Sequence, residues 1–202
     1  MEKGFVYLDE YIPGILWDAK YAGYDNFMGR PAKGYNANRV VIHEKAAAAF
    51  KKACEVFEKD GYTAFAFDAY RPVSAVEDFL GWMETPGEEE RKSIHYPNID
   101  KRNMRSLGYI AGRSGHSRGS TIDLTLVLKE TGEFVDMGGI FDLMDEISHT
   151  ECPYITKQQL ENRLYLRKVM LDAGFTDYRK EWWHFRLEDE AYPDTYFNFP
   201  IE

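Results

Sequence analysis

The stretch "SGHSRGSTIDLTL", Ser114–Leu126, decides the fold and raises the functional question with it. From Thr121 onward the residues alternate. Ile122, Leu124, Leu126 and Leu128 share one parity, and Thr121, Asp123, Thr125 and Val127 share the other. That is the period of a strand with one apolar face. A carboxylate on such a strand is costly to bury without a partner. Asp123 is therefore expected to face solvent, to pair with a cation or to bind a metal. His116 stands seven residues before it, in a loop rich in Gly and Ser.

Outward from this strand, helices and strands interleave. "IHEKAAAAFKKACEVFEKDGY" predicts an amphipathic helix over His43–Asp60, with Phe50, Cys54 and Phe57 on one stripe and Gly61 closing it. "TAFAFDAYRP" follows as a short strand in which Phe65 and Phe67 oppose Ala64, Ala66 and Asp68. Pro72 fits the first turn of a helix running to Met83, because its missing N–H is unpaired there anyway. The polar run "TPGEEERKSIHYPNIDKRN" reads as a long irregular connection that helps wall a cleft. Beyond the central strand, "VLKETGEFVDMGG" predicts a hairpin turning near Thr131 and Gly132. Thr156 and Gln159 form a capping-box pattern ahead of a helix closed by Gly174, and "EWWHFRL" predicts a further strand. Hairpins among helices, without repeat or linker, predict a single α+β domain over residues 1–202. Its central sheet is expected to be mainly antiparallel and flanked by helices.

Composition narrows the function. A net charge of -9 argues against nucleic acid and anionic membrane as partners, since both favour basic patches. No run approaches the roughly 20 apolar residues of a spanning helix, and the N-terminus lacks the pattern of a signal peptide. Two cysteines, Cys54 and Cys152, suit a reducing compartment, so a cytoplasmic protein is expected. Oligomeric state is not written in the sequence, and a homodimer stands beside a monomer.

The chemistry concentrates in two short motifs. "HSRGSTID" holds His116 and Asp123; "EWWH" holds Glu181 and His184. Two imidazoles and one carboxylate would fill three positions of a tetrahedral zinc and leave a fourth for water. The remaining carboxylate could then move the proton. Each residue also has an ordinary reading. His116 could be a hydrogen-bonded loop residue, Asp123 the partner of an arginine, His184 a core histidine beside two tryptophans, and Glu181 a solvated strand end. In a straight strand Glu181 and His184 would face opposite ways, so a shared site requires a bend or bulge there. Arg71, in "DAYRP", could stabilise an oxyanion, hold a substrate carboxylate or pair with Asp68.

Together "SGHSRGSTIDLTL", "DAYRP" and "EWWHF" resemble the Ser-x-His-x-x-Gly-x-x-x-Asp, Tyr-Arg-Pro and Glu-x-x-His signatures of the VanX-type D-alanyl-D-alanine dipeptidases. These are zinc peptidases related to D,D-carboxypeptidases and the hedgehog signalling domain. The likeness runs nearly end to end, through "GFVYLDEYIPGILWDAKYAGYDNFMG", "YPNID" and "YPDTYFNFP". It implies a hedgehog/D,D-peptidase-like fold. It also implies one Zn²⁺ held by His116, Asp123 and His184, with Glu181 as general base and then acid, and Arg71 facing the tetrahedral intermediate. Tyr21, Asp68, Tyr109, Ser114 and Asp142 fill the motif positions around the dipeptide. One departure is Gly115, where the family form carries a second serine; any contact from that side chain is absent here.

The resemblance implies hydrolysis of D-Ala-D-Ala, chemistry that serves either glycopeptide resistance or recycling of the dipeptide. Three other readings stand beside it. A D,D-carboxypeptidase would need an open cleft for longer precursors. A zinc-stabilised binding module would have no need of Glu181 and Arg71. A metal-free scaffold would be indifferent to chelation.

Overall fold

The computed structural model describes residues 1–202. In chain order the elements are β1 Phe5–Tyr7, α1 Leu8–Tyr11, β2 Leu16–Trp17, β3 Val41–His43, α2 Glu44–Lys59, β4 Tyr62–Asp68, α3 Val73–Glu84, α4 Lys92–His95, α5 Met104–Leu107, β5 Thr121–Leu128, α6 Lys157–Asp172, β6 Phe175–Tyr178 and β7 Glu181–Leu187. Five strands form one sheet in the order β2-β4-β5-β7-β6, and β1 pairs with β3 in a separate ribbon. Only β2 runs parallel to its neighbour; the other pairings are antiparallel. One continuous core of 46 buried residues links both sheets and the helices, so the chain is a single α+β unit.

The local signals explain most boundaries. His43 caps α2, its ring accepting from Lys45 N–H, and Gly61 takes the left-handed backbone (φ +89°) that ends it. Phe50, Cys54 and Phe57 are buried as the stripe predicts. At α6, Thr156 Oγ1 accepts from Gln159 N–H and Gln159 Oε1 accepts from Thr156 N–H, a complete capping box. Pro72 precedes α3 as its cap rather than entering the first turn. Cys54 and Cys152 are both buried and unpaired. No helix is long and apolar enough to cross a membrane.

Beyond Pro72, the structure departs from the sequence reading along β5, the hairpin and the connection after α3. β5 is buried on both faces, not one, because Thr121, Asp123, Thr125 and Val127 are covered as well. The turn at Leu128–Glu133 forms, with Leu128 N–H donating to Glu133 O, but its second arm makes only the bridge Val127↔Phe134. Asp136 then accepts from Gly138 N–H and turns the chain away. The connection after α3 is not wholly irregular, since it contains α4 and α5, and α4 carries His95 into the interior.

Candidate active site

Three strands set the first row of functional groups. Asp123 of β5 lies opposite Asp68 of β4 on one side and His184 of β7 on the other. Strict alternation would put Asp68 with Ala64 and Ala66, away from Asp123. The register shifts between Ala66 and Asp68, however, and this bulge turns Asp68 to the Asp123 face.

His116 arrives from the 3₁₀ turn Gly115–Arg118, just ahead of β5. Ser114 Oγ accepts from His116 N–H at 3.2 Å and starts that turn. Gly119 ends it with φ +80°, and a Cβ there would sit 2.3 Å from Phe5 Cε1, so no other residue fits without displacement. His116 Nδ1 donates to Ala69 O at 2.6 Å, which assigns the tautomer and leaves Nε2 free to coordinate.

The free atoms converge. His116 Nε2 lies 3.3 Å from His184 Nδ1 and 3.3 Å from Asp123 Oδ2, and His184 Nδ1 lies 3.0 Å from Asp123 Oδ1. For metal bonds of 2.0–2.1 Å, the edge of a coordination tetrahedron is about 3.3 Å, so the spacing suits one central cation. Asp123 Oδ1 is buried without a well-aligned hydrogen bond, an orphan that a cation would satisfy. Burial alone would raise the Asp123 carboxyl, but His116 and His184 hold it well below the usual carboxylate range. Burial lowers His116, favouring its neutral imidazole, whereas at His184 burial is outweighed by Asp123 and the imidazole is raised. An ionised carboxylate and a neutral imidazole are the forms that bind metal. The donor set fits a cation that prefers nitrogen and oxygen ligands.

Glu181 reaches the same place because β7 bends, as a shared site requires. Tyr178 of β6 pairs with Glu181, yet the next residue, Asp177, pairs with Phe185, so β7 bulges between them. Glu181 Oε2 is thereby 3.5 Å from His184 Nδ1. Burial pushes the Glu181 carboxyl up to about 7. Arg71 stands beside this triad, its Nη2 3.6 Å from Asp123 Oδ2 and its Nε donating to Asp68 Oδ2 at 3.0 Å. The guanidinium also lies over the rings of Tyr21 and Phe79.

These groups line a cavity of about 290 Å³, near the lower bound for ligand pockets and therefore fit for a small molecule. Arg71, His116, Asp123, Glu181 and His184 share its wall with Tyr21, Tyr109, Ser114, Gly115 and Asp142. Tyr21 Oη donates to Asp142 Oδ2 at 2.6 Å, and burial raises that carboxyl well above its ordinary value. Asp68 is brought close but does not line the cavity. It lies behind Arg71, where Tyr35 Oη also donates to it at 2.7 Å. Tyr35 and Tyr178 were not legible as site residues. Tyr178 joins the wall only through the β6–β7 pairing, and Tyr35 acts through Asp68 across 33 positions of sequence.

Residues 1–202 match the Peptidase M15 family model, described as D-ala-D-ala dipeptidase. The chain is 49% identical over 201 residues to the D-alanyl-D-alanine dipeptidase of Enterococcus faecalis, and each protein is covered in full. It is 48% identical, again over the whole of both chains, to the D-alanyl-D-alanine dipeptidase of Streptomyces coelicolor. To the protein of that name in Escherichia coli K12 it is 34% identical, over 90% of this chain and 83% of the relative.

Proposed function

This chain belongs to the Peptidase M15 family of D-Ala-D-Ala dipeptidases, and from that premise we propose that it hydrolyses D-Ala-D-Ala to two D-alanines with one zinc ion. The observation that carries the reading is the convergence of His116 Nε2, Asp123 and His184 Nδ1 within 4.8 Å of one another, with Glu181 and Arg71 beside them.

His116, Asp123 and His184 would hold the zinc, which supplies Lewis acidity toward a carbonyl and makes water a stronger acid at neutral pH. Glu181 takes the proton from the attacking water and passes it to the leaving amine. The water oxygen bonds to the carbonyl carbon, the C–N bond breaks, and no co-reactant is needed. A carboxyl near 7 suits both transfers, because it exchanges a proton readily at neutral pH. Arg71, with its guanidinium held by Asp68, faces the charge that develops on the carbonyl oxygen, a contribution often worth about 3 kcal/mol per donor.

The substrate ends are read separately. Asp142, supported by the Tyr21 hydroxyl, takes the free ammonium, whose positive charge opposes the burial that raises this carboxyl. Ser114 already accepts from His116 N–H, so its own hydrogen is free to donate to the substrate carboxylate. Tyr109 closes the wall beside it. Asp68 acts through Arg71 rather than on the dipeptide. The small cavity favours a free dipeptide over a longer peptide. A cytoplasmic setting is supported by two buried, unpaired cysteines.

The test is hydrolysis by zinc-loaded protein of D-Ala-D-Ala, N-acetyl-D-Ala-D-Ala and L-Ala-L-Ala. Cleavage of the free D,D-dipeptide alone is expected. Cleavage of the acylated compound would instead favour a carboxypeptidase.

A further inference from the structure

Asp142 sits in a segment with little regular structure. Between the turn at Asp136 and helix α6, the chain makes only the 3₁₀ turn Glu146–Ser148. Asp142 is nevertheless buried, and its backbone is left-handed at φ +56°, a conformation uncommon outside glycine though more accessible to aspartate than to most residues.

The surroundings include an unusual cation. Arg163 projects from α6 with its residue 0% exposed. Its hydrogen-bond partners are three backbone carbonyls and no carboxylate. Nε donates to Met137 O at 2.5 Å, and Nη1 donates to Ile147 O at 2.8 Å and to His149 O at 2.7 Å. Nη2 has no partner. Burying a guanidinium that no carboxylate hydrogen-bonds is unfavourable, and Asp136 acts on this one only through space. A methionine or leucine would satisfy the packing of α6 alone. What the guanidinium adds is the tie between the two ends of the segment, which lie ten residues apart at Met137 and Ile147.

Inside that tie the segment is pinned at Asp142 itself. His95 Nδ1 donates to Asp142 O at 3.1 Å, Met144 N–H donates to His95 O at 2.7 Å, and Tyr21 holds the carboxyl. We infer that Arg163 is a positioning residue for substrate recognition, which clasps residues 137–149 so that Asp142 meets the substrate ammonium in the required place. This rests on the reading of Asp142 as the ammonium's partner.

The experiment uses the full, zinc-loaded chain and D-Ala-D-Ala. Arg163→Lys and Arg163→Met are each made alone and together with Asp142→Asn, and KM, kcat and amide hydrogen exchange over residues 137–149 are measured. Lysine keeps the charge but cannot span three carbonyls, so it remains informative if the methionine variant fails to fold. Arg163→Lys is expected to raise KM about tenfold, since misplacing a positioned group by about 1 Å is costly, with kcat within about twofold. Exchange should quicken over residues 137–149 and stay slow in β5. In the Asp142→Asn background the same change should leave KM as it is.

Equal losses in both backgrounds would overturn the inference, because a structural role alone predicts them. A fall in kcat with KM unchanged would overturn it too, and would point to Trp182, whose ring lies 5.8 Å from the guanidinium and which follows Glu181 in β7. If Asp142→Asn raises KM but Arg163→Lys does not, only the role of Arg163 falls. If Asp142→Asn leaves KM unchanged, the reading of Asp142 fails and the inference with it.

Discussion

Glu181 Oε2 lies 3.5 Å from His184 Nδ1, although the two residues are three apart in a single strand whose regular pleat would send them to opposite faces. The bulge opposite Asp177 and Tyr178 brings them together. The strand therefore brings the proposed metal ligand His184 and the proposed proton carrier Glu181 to one point, and the two proposed roles can be separated by substitution. Glu181→Gln keeps the shape and removes the titrating group. It should lower kcat by about 10³, within the range for general acid–base catalysis, while zinc content and melting temperature stay close to the wild type. Unchanged turnover in a zinc-loaded variant would end the assignment of Glu181 as base.

The turn that supplies His116 rests on Gly119. Its φ of +80° and the 2.3 Å approach of a Cβ to Phe5 Cε1 both exclude a side chain. Gly119→Ala combines backbone strain with overpacking and should destabilise the protein by about 3 kcal/mol. Because Gly119 N–H also bonds His116 O, zinc affinity should fall as well. Urea denaturation with a parallel zinc titration checks both, and a variant with unaltered stability would show that the turn relaxes freely.

How much of this was legible follows from the range of each cause. The ends of β7, the α2 stripe and the Thr156–Gln159 box depend on neighbours a few residues apart, and the sequence displays them. The face of Asp68 does not. It is set by a bulge that only pairing with β5 creates, so alternation put it with Ala64 and Ala66. The support from Tyr35, the left-handed backbone of Asp142 and the clasp by Arg163 are likewise tertiary, and no local pattern marks them. His116, Asp123, Glu181 and His184 stand in two short motifs, but alternation left Asp123 to face solvent, a cation or a metal, and only the family resemblance implies that the four act together.

Asp68 offers a test of that difference. It is buried, accepts from Arg71 Nε and Tyr35 Oη, and lies outside the cavity wall. Removing it leaves a largely buried guanidinium half-paired, so Asp68→Ala should cost about 3 kcal/mol of stability. Tyr35→Phe loses one hydrogen bond and should cost about 1 kcal/mol. In Asp68→Asn, kcat should fall through a misplaced Arg71 while KM for the dipeptide changes little. A rise in KM with kcat unaltered would instead make Asp68 a substrate contact.

His95 gives the pH dependence. Burial lowers its imidazole to about 4 from an ordinary 6.5, and the Arg91 guanidinium, 3.3 Å from Nε2, acts in the same direction. Between those values the unfolded chain binds a proton that the native protein refuses, so stability rises with pH across the window. The contribution is complete above pH 6.5, declines as pH falls and is exhausted near pH 4. By pH 5 the loss should reach about 2 kcal/mol, from 1.36 kcal/mol per pH unit. His95→Asn retains a donor toward Asp142 O and carries no titrating group. Urea unfolding of both proteins at pH 7 and pH 5 should therefore show a shallower decline in the variant by about that amount. Parallel declines would mean that His95 takes up its proton without cost, and an imidazole titration by NMR near 6.5 would say the same directly.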